Sequence, residues 1–214
     1  DNYRSWRWEY LKRFDYTPED CLNFHKGIEK VIMPFVNKII KKRKKQLGLD
    51  VLKPWDLSVD PLNREPLAPF ANASELENKC HNIFKAIDSE LGNHFSIMRK
   101  EKLLDLANRK GKAPGGYCTE YYHRRLPFIF MNAVGTHSDV QTMLHEGGHA
   151  FHVFESDKLP YASQREVGME FAEVASMAME LLASPYLTEE YGGFYEVEQA
   201  KRARIEHLEK IIMF

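Results

Sequence analysis

His145-Glu146-Gly147-Gly148-His149 is the segment whose residue types and spacing point most directly to chemistry. On an α-helix, positions i and i+4 share a face, so both imidazoles can reach one metal ion. Glu146 lies one residue on from the first ligand, close enough to hold a water bound to that ion. Zinc makes such a water acidic, and the carboxylate takes its proton as attack on a carbonyl begins. Neutral nitrogen ligands keep the ion a strong Lewis acid, and the base must not itself be a ligand. Matches to HExxH also arise by chance on amphipathic helices. Here the surrounding residues are apolar and a capping signature, Ser138 with Gln141, precedes them, which puts the motif on a helix inside a core.

A catalytic zinc site takes a third protein ligand and leaves a fourth position open. The metzincin extension HExxHxxGxxH is excluded, because position 152 is His and position 155 is Glu. His152 shares nearly the same helical face but lies about 10 Å along the axis from His145. The three histidines therefore cannot share one ion, and a supporting or substrate-side role suits His152 better. Glu155 and Glu166 are candidate ligands near loop ends. Residues 169–180 (MEFAEVASMAME) are otherwise apolar and hold Glu170, Glu173 and Glu180 on one stripe, at spacings of three and seven. Carboxylates on such a helix are costly to bury unless paired or bound to metal. The plain alternative is an amphipathic helix with its acids in solvent. The narrowness of the stripe favours one facing the HEGGH helix, with Glu173 central and Glu170 and Glu180 placed to orient the histidines.

The elements that must position these residues can be read from periodicity and turn chemistry. Thr17-Pro18-Glu19-Asp20 caps a helix whose apolar face runs from Cys21 to Ile39, kinked or interrupted at Pro34 and stopped at Gly48. Prolines 54, 61, 66 and 69 mark a connector. Ser74 with Glu77 opens a helix to about Ile87, and another runs from about Ser89 to Leu104. NRKGKAPGGYC is a loop, followed by strands at Tyr117–Tyr122 and Leu126–Met131. The HEGGH helix comes next, then a helix from Val167 to Ala183 and a last one from Phe194. The expectation is a mainly α fold with one small β-sheet, divided into a helical segment, 1–107, and a zinc-binding core, 108–214.

With 43% hydrophobic and 29% charged residues and a formal net charge of -1, neither nucleic acid nor an anionic membrane is an expected partner. The KKRKK run at 41–45 follows an apolar helical pattern and reads as a solvated helix end. Cys21, Cys80 and Cys118 are odd in number and far apart, which argues against a disulfide framework and for a reducing cytoplasm. No apolar run approaches the roughly 20 residues of a membrane span. The start, DNYRSWRWEY, lacks the apolar region of a signal peptide and begins without methionine, so a fragment of a longer chain is expected.

HEGGHAFH at 145–152 followed by FAEVAS at 171–176 resembles the M3 family of zinc oligopeptidases, the oligoendopeptidase F branch in particular. RFDYTPEDC, PWDL and NRKGKAPGGYC resemble the same branch. The resemblance implies a neurolysin/oligoendopeptidase-like helical core and one Zn2+ held by His145, His149 and Glu173. Glu146 would be general base and later proton donor to the leaving amine. The implied substrates are short oligopeptides in a deep channel between two helical halves. Leu126–Met131 and Gly115-Gly116 could line it, with an extended peptide pairing to exposed backbone there, the other reading being that the two are plain turn glycines. The family's later region supplies His and Tyr residues that stabilise the oxyanion, and Tyr186, Tyr191 and Tyr195 match none of those positions. The remaining N- and C-terminal parts of such an enzyme are therefore expected partners. Two further readings stay open: an inactive zinc-binding module, and a zinc hydrolase acting on a non-peptide amide.

Overall fold

The computed structural model describes residues 2–213, which form two units: 2–66 with 204–213, and Leu67–Ala203. In the first unit α1 (Tyr3–Tyr10) precedes α2 (Pro18–Val31) and α3 (Met33–Leu47). The Thr17 hydroxyl accepts from the Asp20 N–H at 3.2 Å, and the Asp20 carboxylate accepts from the Thr17 N–H at 2.8 Å. Pro34 interrupts rather than kinks: it falls in the first turn of α3, where its missing N–H costs nothing, so the apolar pattern of 21–39 is split between two helices. Gly48 ends α3 in the left-handed conformation at φ 65°.

The second unit contains α4 (Ala73–Ile87), α5 (Ser89–Lys100), β1 (Leu104–Ala107), β2 (Tyr117–Tyr121) and β3 (Leu126–Ala133). They are followed by α6 (His137–Asp157), α7 (Ala162–Arg165), α8 (Met169–Ala183) and the start of α9 (Val197–Met213). The sheet order is β1-β3-β2, with β1 parallel and β2 antiparallel to β3. Leu104 belongs to a strand rather than to the preceding helix. β1 is four residues long and exists by pairing with β3, a contact distant in sequence. Two caps also differ from expectation. Asn72, not Ser74, caps α4 by accepting from the Glu75 N–H at 3.0 Å. Thr136 with Asp139, not Ser138 with Gln141, makes the capping box of α6.

The core lies between α4, α5, α6 and the sheet. Leu76, Cys80, Ile83 and Phe84 line one face of α4, and Val140, Met143 and Leu144 one face of α6, all at 0% exposure. Alternation in β3 turns Ile129 and Met131 into the same core. Each such side chain contributes roughly 1.5–3 kcal/mol by leaving water. Composition changes near residue 107, but α5 packs on β3 and α6, so packing does not divide the chain there. Among the described residues no helix is long and apolar enough to cross a membrane.

Candidate metal centre

α6 and α8 build the site together. Gly148 makes their close approach possible: a Cβ there would stand 2.6 Å from Ala175 O and from Ser176 Cα on α8. Gly147 makes room in the same way for the buried Phe84 ring, 2.6 Å from a hypothetical Cβ. The two glycines inside the histidine motif are thus packing residues, and the HExxH pattern leaves those positions unspecified.

Across this interface the structure brings His145, His149 and Glu173 together, with one potential donor atom of each within 4.8 Å of the others. His145 Nε2 lies 3.2 Å from Glu173 Oε2, and His149 Nε2 lies 3.7 Å from the same oxygen. The two imidazoles meet edge to face, with centroids 4.9 Å apart. His145 Nδ1 is 2.7 Å from Glu180 Oε1. An ionised carboxylate only accepts, so Nδ1 donates to Glu180 and Nε2 is the nitrogen that faces Glu173. The Ser176 hydroxyl lies 2.8 Å from Glu173 Oε2 and donates to it. Glu173 is about half exposed while the two histidines are mostly covered, which leaves the group open on one side.

The electrostatics follow from this packing. The Glu180 hydrogen bond raises the pKa of His145 against the effect of burial. Burial and the neighbouring His145 lower that of His149. Glu146 is 8% exposed, and burial raises its pKa, opposed by His145 and by the Cys118 backbone N–H on β2. Burial and the nearby Glu146 push the Cys118 thiol up to about 12, so it is an unreactive neighbour. The donor set suits zinc: two imidazoles, one carboxylate, and a second carboxylate that orients one of the rings.

The other acids sort differently. Glu180 takes the orienting place expected of it, whereas Glu170 and Glu166 are exposed. Glu155 gathers with Glu90 and His94 instead. His152 lies outside the donor trio, near enough for its charge to bear on His149. β3 is the middle strand, so its backbone groups are taken by β1 and β2; the strand beside Glu146 with an unpaired edge is β2. The Gly115 carbonyl is held by Asn132 Nδ2 at 2.9 Å, and Gly116 packs on Thr142 of α6. A cavity of about 640 Å³ lined by Glu101, Tyr121, Tyr122, Arg124 and Phe128 shares no residue with the metal donors.

Comparison with known proteins places the chain in a family. Residues 1–214 match Peptidase family M3. An oligoendopeptidase F homolog of Borreliella burgdorferi is 28% identical over 182 residues, 82% of this chain and 30% of its own. Oligopeptidase PepF of Bacillus subtilis is 29% identical over 189 residues, 86% of this chain and 27% of its own. The chain therefore spans less than a third of the length of these relatives. Among solved structures, PZ peptidase A with inhibitor 2 matches with a TM-score of 0.86 and 32% identity, over 97% of this chain and 36% of that one. The helical architecture with its small sheet is that of these relatives, and the match runs the whole length of the sequence: the chain belongs to peptidase family M3.

Proposed function

We propose that this chain carries the zinc site and general base of a metallopeptidase that hydrolyses short oligopeptides. The observation that carries this reading is the gathering of His145, His149 and Glu173 within 4.8 Å, with the buried Glu146 on the same helix. These three residues would hold one Zn2+. When bound, zinc supplies Lewis acidity that acidifies a water and polarises a peptide carbonyl. Glu146 is the base: burial raises its proton affinity towards the range in which it can accept the attacking water's proton and return it to the leaving amine. Glu180 keeps the His145 lone pair turned towards the ion, and Ser176 restrains Glu173. The free edge of β2 passes the base, so an extended peptide can pair alongside it. Further substrate contacts and oxyanion stabilisation are assigned to the lengths that the relatives have beyond the match.

The test is Glu146→Gln. The substitution keeps the shape and leaves the ligands alone, so zinc content by mass spectrometry should stay at the wild-type level while hydrolysis of a quenched fluorescent peptide disappears. Retained hydrolysis would remove Glu146 from the role of base.

A further inference from the structure

A second trio of donors lies away from the His145 group. Glu90 and His94 are i and i+4 on α5, Glu155 is in the last turn of α6, and one donor atom of each lies within 4.8 Å of the others. His94 is the unusual member. It is 9% exposed and stacks on Phe154, with centroids 4.4 Å apart and planes within 7°. Its Nδ1 is buried and has no hydrogen-bond partner among the described residues; Glu155 Oε1 stands 3.9 Å away, beyond hydrogen-bond distance. A buried polar nitrogen left in this way carries an uncompensated desolvation cost that a ligand would relieve.

A cation already sits against the two carboxylates. Lys158 Nζ is 2.8 Å from Glu90 Oε1 and 2.8 Å from each Glu155 oxygen. All three side chains are half exposed or more, so this is a surface ion pair that exchanges readily with solvent. One ammonium balances only one of the two negative charges, and it leaves the imidazole nitrogen unmet. A divalent ion would balance both and take that nitrogen as a ligand.

We propose that Glu90, His94 and Glu155 form a second zinc site, with Lys158 as its built-in competitor. Two carboxylates and an imidazole are a donor set for a borderline first-row ion, whereas calcium and magnesium prefer oxygen alone. Donor atoms around tetrahedral zinc lie about 3.3 Å apart, so closing from the present spacing needs movement only of the two exposed glutamates. Burial holds the pKa of His94 below its ordinary value, which keeps the ring neutral and able to ligate. Bound there, the ion would link α5 to the last turn of α6, the helix that carries His145 and His149.

The test is calorimetric titration of Zn2+ into chelator-treated protein. The wild-type chain should show a tight event and a separate, weaker one. Glu90→Gln and Glu155→Gln should each remove the weaker event and leave the tight one, with circular dichroism confirming an intact fold. Lys158→Ala should strengthen the weaker event by up to about fivefold, the size of a surface ion pair. Ca2+ in place of Zn2+ should give no such event. Absence of the weaker event in the wild-type chain overturns the proposal, as does its survival in both glutamine variants or equal binding of Ca2+. Failure of the His145 site would instead remove the tight event alone, so the two readings fail separately.

Discussion

Gly148→Ala adds one methyl group at the point where α6 touches α8. The new carbon would stand 2.6 Å from Ala175 O and from Ser176 Cα, against about 3.5 Å for atoms in ordinary contact. Both obstacles are backbone, so no rotamer change relieves them, and α8 must retreat by about 0.9 Å. Removing a glycine from a helix interior favours folding by about 1 kcal/mol, while overpacking costs about 1–3 kcal/mol, so the net change in stability is a modest loss. The effect on metal binding is larger. Glu173 is three residues from the clash and its carboxylate must keep station opposite two histidines on the other helix. Metal–ligand distances tolerate only about 0.2 Å, so zinc affinity should fall at least about tenfold. Competition against a chromophoric chelator measures this directly, with thermal melts alongside. Gly27→Ala is the control: nothing lies within 4 Å of its Cβ position, so it should stabilise α2 and leave zinc binding unchanged. If Gly148→Ala bound zinc within about twofold of wild type and melted at or above it, the close approach would not be what positions Glu173.

Glu180→Ala should weaken zinc binding by about 10–100-fold through loss of the His145 Nδ1 partner, with Glu180→Gln intermediate because its amide oxygen can still accept. Chelator competition on both variants checks this order, and equal affinities would contradict it. Lys112 has its side chain 1% exposed and donates to Asp105 Oδ1 and to the carbonyls of Asp105, Ala107 and Met131. Lys112→Met should therefore cost about 3 kcal/mol in urea denaturation, since it leaves the part-buried carbonyls of Asp105 and Met131 without this donor. Asp105 itself is held at a pKa of about 2 by Arg109 and Lys112, below the unfolded value of about 3.9. Its stabilising contribution is then complete above the unfolded pKa and is lost as pH falls through about 2. Asp105→Asn should flatten that acid limb in melts taken between pH 5 and 2.

How far the sequence reveals this protein depends on the range of the interaction involved. His145 and His149 are legible because the helical period alone puts them on one face. Glu173 and Glu180 are legible because acids on an apolar helix demand a reason, and the structure places Glu180 on His145 and Glu173 between the imidazoles. Most helices are legible from caps and apolar periodicity, with starts shifted by two residues where both candidates are good caps by type, as Thr136 for Ser138 and Asn72 for Ser74. α1 is not among the elements expected, and Pro34 separates two helices within one apolar run. β1 was missed because four residues, LDLA, hold no local signal strong enough to oppose the helix before them; the strand is made by β3. The roles of Gly147 and Gly148 were equally hidden, since what they avoid, Phe84 and the α8 backbone, lies far away in sequence. The middle place of β3, which leaves its backbone paired on both sides, is not legible because strand order cannot be read from a single strand's composition.

The central claim is that His145, His149 and Glu173 hold a zinc ion. The direct measurement is the metal content of the chain purified without chelators, for the wild type, Glu173→Ala and Glu166→Ala. The account predicts about one tightly held zinc per wild-type chain, its loss in Glu173→Ala, and its retention in Glu166→Ala, where the exposed carboxylate lies outside the donor group. A wild-type chain without zinc, or equal losses in the two variants, would contradict it.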